Sequence, residues 1–140
     1  MAPFWNVGAC SQQWALPFST WGKGGDARVW LAPENEDLWP HLHRAAEQLV
    51  ALADHPPADE LQRRRLSLAA RELLLAQASD WPFLLEGRVQ AGFARARVED
   101  HLLAFRALAR PDADPALVRE RETANQIFPG LSHQVYRRPR

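Results

Sequence analysis

The sequence predicts an all-α fold, a three- to four-helix bundle behind an irregular, aromatic, glycine-containing N-terminal loop. Three observations predict it. After Pro33, apolar residues recur at helical spacing, as in Leu38, Leu42, Ala45, Ala46, Leu49, Leu52 and Ala53. Breaks rich in proline and aspartate then divide the chain into segments of helical length. Residues 1–33, by contrast, carry most of the glycine, four of the tryptophans and no such periodicity.

In chain order, "GKGG" (Gly22 to Gly25) reaches positive φ at little steric cost, so an unusual backbone path is expected there. "ARVWL" suits a very short strand or extended loop equally well. Glu34, Glu36 and Asp37 match the positive end of a helix dipole. Pro40 is tolerated only in a first turn, so the first helix is expected to begin near Trp39, and "HPP" at 55–57 stops it. The second helix spans about 58–78, with Asp59 as its cap and apolar residues on nearly every face from Leu66 onward. That pattern predicts a central helix. Pro82 disfavours the α region for Trp81, so "SDWPF" is read as its end. A third helix covers about 88–109 and stops at "PDADP". "PALVRERETANQ" opens with proline and gives a short fourth helix. The tail "IFPGLSHQVYRRPR" reads as loop, with Ile127, Phe128, Leu131 and Tyr136 as docking residues.

The length, 140 residues, is that of one domain. Basic and acidic side chains balance at 17 each, which argues against nucleic acid or an anionic membrane as partner. Arginines interleave with acids along the predicted helices, a pattern of solvated faces. A single cysteine, Cys10, cannot form an internal disulfide, and a reducing, cytoplasmic setting is expected. Apolar runs such as "ELLLAQA" are too short to span a bilayer, and the N-terminus lacks the pattern of a signal peptide.

Little of the sequence suggests bond chemistry. His41 and His43 lie two apart on a helix and point in different directions, unlike metal ligands at i and i+4. Cys10 has no evident activating partner. "GKGG" matches no phosphate-loop pattern. No metal or cofactor is therefore expected. Trp21 and Trp30 stand apart, because "STWGKGGDARVW" sets two indoles in a glycine loop. They either plug the end of the bundle or form a platform for sugar rings, whose apolar C–H faces stack on indoles. A sugar also needs a nearby carboxylate for its hydroxyls. Asp80 is the candidate, since a helix C-terminus disfavours a negative charge and asks for another reason to hold one. The spacing leaves both readings open.

"STWGKGGDARVWL", "ENEDLWPHLHRAAEQL", "AARELLLAQASDWPFLL" and "RARVEDHLLAF" together resemble the C-terminal helical domain of glycoside hydrolase family 57 glucan branching enzymes. The resemblance runs from about Ser19 to Tyr136 with the motifs in order. It implies a division into residues 1–18, which do not match, and 19–140, the helical domain. Enzymes of that family cut an α-1,4-glucan and rejoin the piece through an α-1,6 branch, using two carboxylates on a preceding β/α barrel. The family's catalytic motifs have no matching positions in these 140 residues, so no activity is expected of the chain by itself. The resemblance assigns Trp21, Trp30 and Asp80 to the acceptor side of the glucan cleft. An α-glucan or maltooligosaccharide is the implied ligand. The alternatives are a free-standing α-glucan-binding module, a truncated or split product, and an inert remnant or subunit that docks on a separately encoded barrel.

Overall fold

A computed structural model describes residues 17–88 and 90–139. Cys10 and the segment before Pro17 lie outside them. The described chain forms five α-helices, α1 (Leu38–Ala53), α2 (Glu60–Ala76), α3 (Asp80–Glu86), α4 (Ala91–Ala109) and α5 (Pro115–Thr123). Short 3₁₀ turns flank them: Lys23–Gly25, Ala27–Val29 and Pro33–Asn35 before α1, and His133–Tyr136 after α5. No strand occurs among the described residues, which agrees with the all-α expectation.

Local chemistry sets the helix ends. The Asp59 carboxylate accepts from the Gln62 amide at 2.7 Å, as the sequence predicts for the start of α2. Asp114 does the same for Ala116 at 2.7 Å, just before Pro115 at the first position of α5. Pro40 falls in the first turn of α1, where its missing N–H costs nothing. Arg88 and Gln90, both at positive φ, turn the chain from α3 into α4.

The helix α2 is the centre of the bundle, buried on several faces and packed on α4 and α1. Leu49 of α1, Leu66 and Leu73 of α2, and Phe105 and Leu108 of α4 are the largest core side chains, each excluded from solvent. The final 3₁₀ turn lies against α1 and α2, and Leu131 and Tyr136 pack on the core as expected. Ile127 and Phe128 do not dock. They are 41% and 55% exposed, and Phe128 sits at φ 50°.

Three further expectations are corrected. "ARVWL" is neither strand nor extended loop; its first three residues form a 3₁₀ turn, because the Asp26 carboxylate caps the Arg28 amide and the Trp30 amide donates to Ala27. "SDWPF" does not end α2. That helix stops at Ala76, and Asp80–Glu86 begins a new one with Pro82 in its first turn, so Trp81 is helical. The third long helix starts at Ala91 rather than near 88.

The interleaved charges are also not all solvated. Arg65, Arg71, Glu72 and His101 are buried. Arg65 donates to the carbonyls of Leu108 and Arg110, satisfying the C-terminus of α4. Arg71 donates to the carbonyls of Arg121 and Ala124 at the end of α5. His133 is wholly buried, and burial together with the nearby Arg63 and Arg65 holds its imidazole below the ordinary value of 6.5.

Candidate functional site

The glycine loop is an ordered, hydrogen-bonded turn. The Thr20 amide donates to the Gly25 carbonyl at 2.8 Å, and the Gly25 amide donates to the Gly22 carbonyl at 2.9 Å. The Thr20 hydroxyl donates to the Asp26 carbonyl and accepts from the Gly22 amide at 3.1 Å. Gly24 and Gly25 adopt φ of 81° and 71°, a region that L side chains seldom occupy. Arg28 closes the turn from outside by gripping the Asp26 carboxylate through Nε and Nη2, at 2.6 Å for the shorter contact. The guanidinium holds the Asp26 carboxyl below the usual range.

This loop presents Trp21 to water. Its side chain is 99% exposed, so it does not plug the bundle. Trp30 behaves differently. Its ring is half-buried and lies over Gly22, where a Cβ would stand 2.9 Å from ring atom Cζ3 and 2.9 Å from Val29. Its Nε1 donates to the Ser79 carbonyl at 3.2 Å, just ahead of α3. Trp30 therefore bridges the Trp21–Gly22 step to the Ser79–Asp80 step.

Asp80 is exposed and opens α3. The sequence argument placed it at a helix C-terminus, against the dipole. It stands instead in a first turn, where the dipole favours a carboxylate. Its charge thus needs no special reason, and its claim to a role rests on its following Ser79, whose carbonyl Trp30 holds. Asn35 ties the pieces together: its Nδ2 donates to the carbonyls of Val29, at 2.9 Å, and Pro82, at 3.1 Å, from a fully buried position. Sequence reasoning missed Asn35. Its residue type in "PEN" is ordinary for a turn, and partners six and 47 positions away leave no local signal.

Gly22→Ala is expected to cost about 1–3 kcal/mol of stability, because the new methyl collides with Trp30 and Val29 in a packed site. Urea denaturation checks this, and the Trp30 emission should shift red as its ring lifts into water. Gly25→Ala meets no neighbour, so any cost there comes from its positive φ alone.

Other candidates are weaker. His41 and His43 are exposed, with His41 Nδ1 facing Arg106 Nη2 at 3.3 Å. Glu34 pairs with Arg88 at 3.0 Å and Asp37 with Arg95 at 2.6 Å, which fixes the entry to α1 against the start of α4. Among the described residues no group of three His, Cys, Asp or Glu is placed to hold a metal ion. No described helix is long and apolar enough to cross a membrane.

The class that these features define is an all-helical domain with an ordered aromatic loop braced at one end. The family follows from comparison with known proteins. The model of the 1,4-alpha-glucan branching enzyme C-terminal domain matches residues 41–136, well over half of the chain, and the chain belongs to that family. Over 95 residues, 67% of the chain, it is 39% identical to 1,4-alpha-glucan branching enzyme TK1436 of Thermococcus kodakarensis. Over 126 residues, 82% of the chain, it is 31% identical to a probable 1,4-alpha-glucan branching enzyme of Mycobacterium tuberculosis. The chain spans only 14% and 22% of the length of those relatives. The crystal structure of TK1436, a GH57 branching enzyme in complex with glucose and additives, superposes with a TM-score of 0.81 at 32% identity. That match covers 89% of this chain and 24% of the other.

Proposed function

We propose that this domain supplies acceptor-side contacts to an α-1,4-glucan through Trp21, Trp30 and Asp80, and that a catalytic barrel performs the branching. The observation that carries the reading is the Trp21 indole, 99% exposed on a loop fixed by hydrogen bonds. A loop whose backbone is already hydrogen-bonded loses little further backbone entropy when a sugar ring stacks on its exposed indole. Trp30 extends the apolar surface, and the exposed Asp80 carboxylate, one residue past the Ser79 carbonyl that Trp30 holds, can accept from ring hydroxyls. The reading places the protein in cytoplasmic glycogen metabolism and calls for no cofactor.

A second reading is favoured by the neighbouring exposed apolar residues. Phe18 is 75% exposed, Leu31 71% and Phe83 49%. Such a surface suits burial against a larger body, continuous with this chain or separately encoded. The two readings are compatible if the glucan runs along the seam.

Maltoheptaose titrated into the intact chain tests the glucan contact. It should perturb tryptophan fluorescence, and Trp21→Ala should abolish the response while leaving the urea midpoint nearly unchanged, since an exposed side chain carries little stability. Asp80→Asn should weaken binding by about 1–3 kcal/mol, the scale of a charge-assisted hydrogen bond. It should also cost a few tenths of a kcal/mol of stability through loss of the favourable helix-start charge. If Trp21→Ala unfolds the domain, or maltoheptaose moves no signal, the glucan reading fails.

A further inference from the structure

A second concave surface lies on the other half of the bundle. It is a groove of about 420 Å³ between the first turns of α2 and the segment that follows α5. Arg64, Ser67 and Arg71 line one wall, and Glu122, Gln126 and Phe128 the other. None of Trp21, Trp30, Ser79 or Asp80 lines this groove, so it is separate from the Trp21–Trp30 face.

Its volume falls in the ordinary range for a small ligand, about 300–1,000 Å³. Two of its three arginines are matched by carboxylates; the third, Arg71, is held by carbonyls, and its buried Nε has no partner among the described residues. Arg64 holds Glu122 in a two-pronged pair, Nε to Oε1 at 2.7 Å and Nη2 to Oε2 at 2.6 Å. Arg63 holds Glu60 likewise, with Nε to Oε2 at 2.7 Å. An anion would meet the Glu122 carboxylate and, in Arg63 and Arg64, guanidiniums already engaged. A neutral polyol would meet the spare donors and lone pairs of these pairs together with the unpartnered Arg71 Nε–H. Gln126 adds an amide that makes no side-chain hydrogen bond among the described residues.

The far wall also carries an aromatic face. Phe128 is 55% exposed and held at φ 50°, with Asn125 before it at φ 48°. Two non-glycine residues in the left-handed region within four positions mark a strained path. Phe128, on that path, lines the groove and is not part of the core cluster. Arg71, 6% exposed, anchors its start by donating to the carbonyls of Arg121 and Ala124. An aromatic face beside a fork of paired charges is the chemistry that recognises a neutral sugar, with C–H stacking on the ring and hydroxyl hydrogen bonds to the charged groups.

We infer that this groove is a second oligosaccharide-binding site, distinct from the Trp21–Trp30 face, with Phe128 as the stacking residue and the Arg64–Glu122 pair as the hydroxyl partner. That the sugar is an α-1,4-glucan rests on the proposed function above. The site would hold a remote stretch of the same long polymer and raise the local concentration of glucan at the first face.

An amide-resolved NMR titration of the intact chain with maltoheptaose tests the inference. Amides of residues 63–71 and 122–131 should shift, and Phe128→Ala should weaken that response at least five-fold. Glu122→Gln, which keeps the side-chain shape but breaks the pair, should weaken it as well. Trp21→Ala should leave the groove signals intact. Phe128 is solvent-facing, and the dispersion of the variant's spectrum reports that it folds. Shifts confined to residues 20–31 and 79–83 would overturn the groove and leave the first reading standing. Shifts in the groove alone would uphold the groove and remove the first face. A groove that responds to inorganic phosphate and not to maltoheptaose would overturn the inference in favour of an anion site.

Discussion

Phe105→Ala is expected to destabilise the domain by about 3–5 kcal/mol, the range for emptying a buried aromatic site. Phe105 is the largest of the wholly buried side chains. It belongs to the core cluster that joins Leu49 of α1, Leu73 of α2 and Leu108 of α4. Its burial alone accounts for roughly 1.5–3 kcal/mol, and the cavity left by truncation adds the remainder because neighbouring helices relax only in part. A domain of this size holds about 5–15 kcal/mol in total, so the loss is a large share of it. The urea midpoint should fall with the slope unchanged. Leu103→Ala on the same helix is the control: Leu103 is 62% exposed, and its loss should stay within about 0.5 kcal/mol. A cost below about 1 kcal/mol for Phe105→Ala would mean that α4 does not pack as described.

Glu72→Ala should cost a comparable amount, about 3–5 kcal/mol, for a different reason. Glu72 and His101 are 0% and 1% exposed, and Glu72 Oε2 lies 2.7 Å from His101 Nδ1. The Arg97 Nη2 stands 3.2 Å from His101 Nε2. A guanidinium only donates, so Nε2 accepts and Nδ1 carries the hydrogen that it gives to Glu72. Arg121 Nη1 approaches the same carboxylate oxygen at 3.7 Å while Arg121 Nη2 holds Asp100 at 3.0 Å. Truncation at 72 therefore strands a buried imidazole N–H and takes a counter-charge from Arg121. Glu72→Gln should cost less, since its amide oxygen still accepts from His101. The double variant Glu72→Leu with His101→Leu should recover part of the loss, because the imidazole N–H is no longer stranded; the share that comes from Arg121 losing a counter-charge stays. A double-mutant cycle by urea denaturation measures this. Additive losses would show that the two groups are not coupled.

Helices α1, α2 and α5 were legible because a start signal sat where an apolar or polar helical segment began. α1 has apolar residues on one stripe and Pro40 in its first turn; α2 has the Asp59 cap and α5 has Pro115. The short helix α3 was hidden by Pro82. Proline before the end of a polar–aromatic stretch reads as a stop, yet in a first turn its missing N–H would have had no partner anyway. Reading a stop there put Asp80 at the wrong end of a helix and supplied an electrostatic motive that the structure removes. The burial of Glu72 and His101 was hidden in the same way. Their partners lie 29 positions apart, and interleaved charge looks the same whether it faces water or a neighbouring helix. In the loop, the glycines and indoles were visible as types. That Gly22 is the bed for Trp30, and that Ser79 anchors it, depends on contacts made across the fold.

The central claim is that Trp21 and Trp30 meet an α-glucan. The indole N–H signals of the intact chain, followed by NMR as maltoheptaose is added, test it most directly. Trp39 Nε1 is buried, and Trp81 Nε1 donates to the Leu75 carbonyl at 2.7 Å, so those two serve as internal references. The account predicts that the Trp21 and Trp30 signals move with maltoheptaose and stay still with cellohexaose, while Trp39 and Trp81 stay still with both. Movement of Trp39 or Trp81 in place of Trp21 and Trp30, or no movement of any indole at millimolar maltoheptaose, would contradict it.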